Sequence, residues 1–220
     1  MNLPTFFDHT LLRPDCTLAD IKKLCEEAIE YGFAAVCIPP YFVGRASQFV
    51  QDSAVKTATV IGFPMGYTTT VAKVEEIKRA IDDGVDELDV VINVAAVKSG
   101  NWKDVQSDLD RMITAAHLKR KQIKVILETG LLTDEEIQQA CTICRELQPD
   151  FVKTSTGING EGATVRVVKM LRTAVGKDIK IKASGGIRTP EEALRLIDAG
   201  ANRIGASSSV RIMKDYLASQ

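Results

Sequence analysis

The sequence predicts an α/β fold, and within that class a single-domain (β/α)₈ (TIM) barrel that spans residues 1–220. Two observations predict it. Short apolar runs rich in β-branched residues alternate eight times with longer helical patterns, which is typical of parallel βαβ units closed into a barrel. Several runs also carry ionisable residues at every second position. A barrel whose active-site end is open to water explains why ionisable residues occupy one face of these strands. A doubly wound open sheet, which is the alternative fold, does not explain them.

The eight predicted strands are short, and most are followed by glycine or polar residues. They cover residues 5–9, 33–38, 55–63, 87–93, 123–128, 151–155, 179–184 and 203–206. In the fourth strand Glu87 and Asp89 alternate with Leu88 and Val90, and successive side chains of a strand point to opposite faces. We therefore expect the aliphatic residues to face the helices and the acidic residues to face the barrel interior.

Eight helices are predicted between and after the strands. They cover residues 17–31, 41–51, 70–83, 101–119, 133–147, 161–175, 189–199 and 207–218. Thr133 begins a Thr-Asp-Glu-Glu capping box, and Pro190 takes the first helical position of its segment. Gly32, Gly84 and Gly200 mark helix ends, where glycine readily adopts a left-handed conformation. Because no linker or low-complexity stretch divides these segments, we expect one domain.

Composition and charge exclude several classes of function. The chain has 28 basic and 29 acidic residues and a net charge of −1, so no electrostatic argument supports binding to nucleic acid or to an anionic membrane. No apolar run is long enough to span a bilayer, and the first residues do not resemble a secretory signal. Five scattered cysteines fit a reducing compartment better than a disulfide framework. We expect a cytoplasmic protein.

Two lysines in predicted buried strands are the candidate chemical centre. Lys153 lies in Asp-Phe-Val-Lys-Thr-Ser-Thr-Gly and Lys182 in Ile-Lys-Ile-Lys-Ala-Ser-Gly-Gly. A buried lysine is either paired or has a lowered pKa and reacts as a neutral amine. Lowering the pKa of Lys153 by ~3 units requires ~4 kcal/mol, which burial and a second nearby cation supply. Pairing with a carboxylate such as Glu128 is the structural alternative.

Asp89 is the candidate proton shuttle. Its carboxylate lies on the polar face of its predicted strand, and carbon–carbon chemistry through an imine needs a group that moves protons to and from carbon and oxygen. Asp89 could equally serve to neutralise a buried lysine, and the two roles are compatible. Lys180 shares the polar face of the strand with Lys182, and we expect it to be a paired structural lysine.

Glycine-rich turns follow the last predicted strands and indicate an anion site. Gly185 and Gly186 follow the seventh strand, Gly205 lies in the eighth, and Gly157 follows Lys153. Glycine lets backbone N–H groups approach an anion closely, and (β/α)₈ barrels often bind phosphate at the loops after strands seven and eight. A plain turn at Gly185 and Gly186 is the alternative.

Seven segments together resemble the 2-deoxyribose-5-phosphate aldolases, the DeoC family of class I aldolases. The resembling segments, in family order, are residues 8–12, 35–39, 87–93, 128–130, 151–157, 182–189 and 203–208. The pair Lys-Thr-Ser-Thr-Gly and Lys-Ala-Ser-Gly-Gly-Ile-Arg-Thr is the most specific part of the match. Another Schiff-base aldolase, a phosphosugar isomerase or a non-catalytic phosphosugar-binding barrel are the alternative functions.

The resemblance implies a reversible, metal-independent cleavage of 2-deoxy-D-ribose 5-phosphate to acetaldehyde and D-glyceraldehyde 3-phosphate in deoxyribonucleotide catabolism. It implies no cofactor, small-molecule partners and a homo-oligomer, in which a dimer is favoured. Lys153 would form the Schiff base, Lys182 would perturb Lys153, and Asp89 would act as acid and base. The implied substrate and phosphate contacts are Gly157, Gly185, Gly186, Gly205, Ser207, Ser208, Thr10, Thr156 and Cys37. Some members carry a lysine where this chain has Ile158, which removes one phosphate contact.

Cysteine and histidine give no metal site in the sequence. Cys141 and Cys144 form a Cys-x-x-Cys inside a helical pattern, and we expect them to pack on one helix face. His117 falls near the end of a predicted helix, and His9 is expected near the substrate cleft.

Overall fold

The computed structural model of the protein describes residues 2–219. Eight parallel strands form a closed barrel in sequence order, and the last strand pairs with the first. The strands are β1 (Phe7–Thr10), β2 (Ala35–Ile38), β3 (Lys56–Ile61), β4 (Glu87–Val91), β5 (Gln122–Ile126), β6 (Phe151–Lys153), β7 (Lys180–Ser184) and β8 (Arg203–Ala206). The (β/α)₈ prediction is therefore confirmed, and the doubly wound sheet is excluded.

Helices surround the barrel and cover its outer face. They are α1 (Leu18–Tyr31), α2 (Val43–Val50), α3 (Thr70–Asp82), α4 (Val94–Lys98), α5 (Trp102–His117), α6 (Asp134–Leu147), α7 (Val165–Val175), α8 (Pro190–Asp198) and α9 (Ser209–Ala218). Thr133 and Thr189 form capping boxes at α6 and α8, as the sequence predicts for Thr133. None of these helices, in the part of the chain that the structure describes, is both long and apolar enough to cross a membrane.

The short helix α4 is the main departure from the predicted elements. The predicted strand 87–93 ends at Val91 instead, and Asn93 caps α4 by accepting a hydrogen bond from the Ala96 N–H at 3.1 Å. The first strand also begins later than predicted, because residues Leu3–Phe6 form a 3₁₀ turn that contains Pro4. Both differences arise from local capping and turn chemistry at the strand ends.

The barrel interior has a small apolar side and a larger charged side. Strands β2 and β3 point small apolar side chains inward: Ala35, Cys37, Ala58 and Val60, all buried. The other strands point charged residues inward: Asp8, Glu87, Asp89, Lys124, Lys153, Lys182 and Arg203. In β4 the aliphatic Leu88 and Val90 belong instead to the core beneath the helices, which confirms the predicted parity.

Candidate active site

Lys153 and Lys182 are neighbours in the barrel wall. They occupy directly paired positions of β6 and β7, and both side chains are buried. The Nζ atom of Lys153 lies 2.8 Å from Asp89 Oδ2, and that of Lys182 lies 2.7 Å from the same oxygen. The fold thus brings together the three residues that the sequence selects for chemistry, although Asp89 precedes both lysines by more than one βα unit.

Asp89 is also the centre of a larger charge network. Lys124 donates to Asp89 Oδ1 at 2.8 Å and lies 2.6 Å from Glu87. On the other side, Lys182 contacts Asp8, and Asp8 in turn accepts a 2.5 Å hydrogen bond from Arg203. The network extends from β4 across the barrel to β1, so each charge has an oppositely charged neighbour despite its burial.

The two lysines have opposite pKa shifts. Burial lowers the pKa of Lys153, and the ammonium group of Lys182 lowers it further, against the opposing effect of Asp89. Burial would also lower the pKa of Lys182, but the carboxylates of Asp8 and Asp89 outweigh it and raise the pKa above its usual value. Lys182 therefore keeps its proton while Lys153 is the lysine that gives its proton up more readily.

The balance of interior charge favours the same division between the lysines. Burial alone would raise the pKa of Asp89, but the surrounding ammonium groups outweigh it and hold the pKa well below the ordinary value. Asp89, Asp8 and Glu87 are then matched by Lys124, Lys182 and Arg203. Lys153 is the remaining cation of this network, so its neutral form leaves the interior charges balanced.

A cavity of about 520 Å³ opens above Lys153 between the loops that follow β1, β6, β7 and β8. We call it the anion cavity. Its lining includes most of the contacts selected from the sequence: Thr10, Thr156, Gly157, Gly185, Gly186, Gly205, Ser207 and Ser208. Two cations, Arg13 and Arg188, also line it, as does the exposed Ile158. Backbone N–H groups at glycine and nearby cations are typical of phosphate sites.

Close backbone packing requires glycine in the β7 loop. Gly185 has φ +93°, and a Cβ atom on the adjacent Gly162 would lie 2.2 Å from the Gly185 carbonyl oxygen. Gly157 also has a positive φ of +82°, in the loop that follows Lys153. Side chains at Gly162 or Gly185 would push the β6 and β7 loops apart, whereas Gly157 is favoured by its left-handed backbone, so these glycines help to fix the shape of the anion cavity.

Glu128 anchors the loop that follows Lys153. Its buried carboxylate accepts hydrogen bonds from the Thr156 N–H at 3.0 Å and the Thr156 hydroxyl at 2.5 Å. The Thr156 hydroxyl oxygen in turn accepts the N–H of Ile158 at 3.1 Å. Glu128 itself has a left-handed backbone, with φ 55° and ψ 53°. The structural alternative in which Glu128 pairs with a catalytic lysine is wrong, because its partners belong to the β6 loop.

Several residues lie elsewhere than the sequence suggests. His9 points away from the barrel interior, where its Nε2 lies 2.9 Å from Glu27 of α1, because His9 has the opposite parity to Asp8. Cys37, by contrast, is fully buried beside small interior residues and is close enough to Lys153, Lys182 and Asp89 to interact with their charges. Lys180 is exposed, with its Nζ 5.5 Å from the centre of the Phe151 ring, and it forms no ion pair within residues 2–219, so the expectation of a paired structural lysine is wrong.

The remaining candidates have structural surroundings. Cys141 and Cys144 are buried on one face of α6, and burial raises the pKa of Cys141 to about 12, which disfavours a reactive thiolate. His117 ends α5 and lies 3.1 Å from Asp150. Across residues 2–219, no group of three or more His, Cys, Asp and Glu side chains is arranged to hold a metal ion.

Sequence reasoning missed three charged residues of the network, Lys124, Asp8 and Arg203. Lys124 had a usable signal, because it lies between Ile123 and Val125 in a predicted strand, as Asp89 lies between aliphatic neighbours. Asp8 and Arg203 lie near opposite ends of the chain, and only barrel closure brings them together. Glu87 was assigned to the interior, but its partner was not predictable from the sequence.

The chain matches the DeoC/LacD family aldolase profile over residues 4–213. It is 50% identical over 216 residues to the deoxyribose-phosphate aldolase of Thermococcus gammatolerans, covering 97% of this chain and 96% of that protein. It is also 50% identical over 213 residues to the deoxyribose-phosphate aldolase of Desulfitobacterium hafniense, covering 97% and 98% of the two chains.

Solved structures give the same relationship. The deoxyribose phosphate aldolase of Aeropyrum pernix, described as a tetramer, superposes with a TM-score of 0.92 at 32% identity. The alignment covers 99% of this chain and 92% of that one. The likeness therefore extends over the whole barrel, including every strand of the charged interior.

Proposed function

This chain belongs to the DeoC/LacD family of aldolases, and we propose that it is a deoxyribose-phosphate aldolase that cleaves 2-deoxy-D-ribose 5-phosphate reversibly to acetaldehyde and D-glyceraldehyde 3-phosphate. One observation carries the proposal. A buried lysine with a lowered pKa, Lys153, lies at the base of a glycine-lined cavity and contacts a carboxylate shared with a second lysine. That arrangement suits an amine that attacks an aldehyde.

Lys153 begins the reaction as a neutral amine. Its Nζ attacks the aldehyde carbon of the open-chain sugar, and loss of water from the resulting carbinolamine gives a protonated imine. Removal of the proton from the 3-hydroxyl group then breaks the C2–C3 bond, whose electron pair moves into an enamine. D-Glyceraldehyde 3-phosphate leaves, C2 of the enamine takes a proton, and hydrolysis of the imine releases acetaldehyde and free Lys153.

Asp89 and Lys182 are the proposed proton carriers. Asp89 is within hydrogen-bond distance of both Lys153 and Lys182, which supports a role for this pair where the carbinolamine would lose water. The strongly lowered pKa of Asp89 means that it holds a proton only transiently. We assign it the transfer of protons between the substrate and Lys182, directly or through water.

The anion cavity is the proposed phosphate site. Backbone N–H groups near Gly157, Gly185, Gly186 and Gly205 would bind the phosphate oxygens, together with Ser207 and Ser208. Thr10 is proposed to contact the sugar, whereas the hydroxyl of Thr156 is already donated to Glu128. Cys37 is proposed to line the buried part of the site near the two lysines.

The proposal includes a metal-independent class I route, since imine formation at Lys153 supplies the electron sink that a metal would otherwise provide. It also includes a homo-oligomer, and a dimer remains our proposal while the Aeropyrum pernix relative is described as a tetramer. Light scattering of the purified protein gives the molar mass that decides between them.

Reductive trapping tests the proposed function. The protein is incubated with acetaldehyde, reduced with borohydride, digested and analysed by mass spectrometry, with an ethyl group expected on Lys153. Lys153→Ala should give neither the adduct nor cleavage of 2-deoxyribose 5-phosphate. Lys180→Ala, which removes the exposed lysine of β7, is the matched control and should retain both. An adduct on another lysine, with activity retained in Lys153→Ala, would overturn the assignment.

A further inference from the structure

A second cavity of about 570 Å³ opens at the barrel mouth between the loops that follow β1, β2 and β3. We call it the chamber. It lies across the mouth from the β6 and β7 loops, and its volume is in the range of small-molecule sites. Most of its wall is apolar and includes Leu12, Pro39, Val60, Phe63, Met65 and Tyr67.

The chamber and the anion cavity have opposite chemical character. Lys153, Arg13 and Arg188 line the anion cavity, whereas within residues 2–219 no lysine, arginine or histidine lines the chamber. The ionisable group of the chamber wall is Glu76, whose Oε2 accepts the N–H of Gly62 at 2.8 Å. A phosphate group would therefore find no cation in the chamber and would be repelled by Glu76, but an apolar group would be desolvated there.

The chamber adjoins the cavity that contains Lys153. Leu12 lines both cavities, so they share part of their wall. Val60, in the chamber wall, is the direct strand partner of Asp89, the carboxylate that both lysines contact. Leu12 and Phe63 pack against the buried cluster that contains Val60 and Cys37. An acceptor whose carbonyl group lies beside Lys153 in the anion cavity can therefore extend its chain past Leu12 toward the chamber.

The chamber wall is held in place before any ligand binds. The β3 loop is fixed at Gly62 by Glu76 and by the side chain of the buried Lys73, which forms a 2.7 Å ion pair with Asp108. The amide of Asn159, in the β6 loop, donates to the Pro64 carbonyl across the mouth at 3.3 Å. These contacts make the chamber a preformed site, which reduces the ordering cost of binding.

We propose that the chamber is a second substrate subsite, which binds the uncharged apolar substituent of an acceptor aldehyde while the anion cavity binds phosphorylated acceptors. This inference rests on the proposed function, since it uses the same enamine on Lys153. The enamine carbon forms a bond to the acceptor carbonyl carbon, the carbonyl oxygen takes a proton, and water hydrolyses the imine. The product is a 3-hydroxyaldehyde whose apolar chain occupied the chamber.

A series of linear aldehydes tests the proposal in the wild-type protein. With acetaldehyde as donor, kcat/KM for propanal, butanal, pentanal and hexanal should rise by about fourfold per methylene group, as expected for transfer of each group from water to an apolar site. A kcat/KM that does not depend on chain length would overturn the proposal.

Variants of the chamber separate this site from the anion cavity. Thr68 lines the chamber and is absent from the lining of the anion cavity. Thr68→Phe should fill the chamber and lower kcat/KM for hexanal about tenfold or more, with cleavage of 2-deoxyribose 5-phosphate within about twofold of wild type. Val71→Phe, at an exposed site on α3 outside the chamber lining, is the matched control and should change neither reaction.

A second variant keeps the proposal falsifiable if Thr68→Phe does not fold. Met65→Glu places a carboxylate in the wall and should lower kcat/KM for hexanal while 2-deoxyribose 5-phosphate is still cleaved. If both variants cleave the sugar phosphate normally and use hexanal as wild type does, the chamber proposal fails alone. The chamber proposal also fails if the variants change the molar mass of the protein in solution, because the chamber would then be part of an interface between copies of the chain. If the wild-type protein neither cleaves 2-deoxyribose 5-phosphate nor forms the reduced adduct with acetaldehyde, the proposed function itself is wrong.

Discussion

Lys153 and Lys182 share one hydrogen-bond acceptor, the Oδ2 atom of Asp89, at 2.8 and 2.7 Å. Two ammonium groups on one oxygen repel each other, and the additional contact of Lys182 with Asp8 decides which lysine keeps its charge. The geometry therefore favours a protonated Lys182 in the free protein and makes Lys153 the group that releases its proton more readily.

Removing the charge of Lys182 should suppress the nucleophile. Lys182→Met takes away a cation that lowers the pKa of Lys153, so that pKa should rise and the acidic limb of the pH–rate profile should move to higher pH. At neutral pH the rate of trapping by acetaldehyde should fall about tenfold for each pH unit of this shift. The profile is measured by borohydride trapping, with Lys180→Met as control. An unmoved acidic limb in Lys182→Met would contradict the division of charge.

Acid should destabilise the fold through Asp8. Burial alone would raise the pKa of this carboxyl, but Lys182 and Arg203 outweigh it and lower the pKa below its ordinary value of 3.8. The unfolded chain therefore binds more protons as the pH falls below about 4, and the stabilisation from this group is lost progressively in that range.

Asp8→Asn measures that contribution. The variant should lose about 3 kcal/mol of the free energy of unfolding at pH 7, because it removes the carboxylate that Lys182 and Arg203 share. At pH 3 the difference from wild type should be smaller by about 1 kcal/mol. Urea titrations at both pH values give the free energies. The control variant Asp15→Asn, at an exposed ion pair with Arg13, should change the free energy of unfolding by less than about 0.5 kcal/mol. If Asp8→Asn loses the same free energy at both pH values, the proposed link between Asp8 protonation and stability is wrong.

Glu128 should set the affinity for phosphate without taking part in chemistry. Glu128→Ala removes the acceptor of the Thr156 N–H and hydroxyl, so the β6 loop loses its anchor. We expect KM for 2-deoxyribose 5-phosphate to rise about tenfold, which corresponds to about 1.4 kcal/mol, while trapping of Lys153 by acetaldehyde stays within about threefold. Glu128→Gln keeps one acceptor oxygen and should show a smaller rise. A loss of trapping equal to the loss of cleavage would show that Glu128 acts on the reactive centre.

Ile158 should limit the affinity for phosphate. Its side chain is 60% exposed and lines the anion cavity, so a cation there would meet the phosphate without becoming buried. Ile158→Lys should lower KM for the phosphorylated sugar about twofold to fivefold at low salt, and the gain should diminish at high ionic strength. Ile158→Gln should give no gain, and neither variant should improve cleavage of unphosphorylated deoxyribose. A gain with the uncharged sugar would contradict an electrostatic effect.

The sequence by itself determined the repeating βα units and the inward face of β4, and it selected Lys153, Lys182 and Asp89 as the candidate chemical centre. These follow from local patterns: apolar periodicity separates strands from helices, and strand parity separates the two faces of Glu87 to Val91. The same parity rule, applied to β1, would have placed His9 against α1 rather than near the cleft.

Only the tertiary structure decided which inward faces meet. The 2.5 Å contact between Asp8 and Arg203 joins residues separated by 195 positions, and it exists because β8 pairs with β1 when the barrel closes. Closure likewise places the small apolar residues of β2 and β3 on one side of the interior and the charged residues of the other six strands around the rest. Local sequence fixes the direction of each side chain, but the distance between two side chains on different strands depends on how the whole sheet closes.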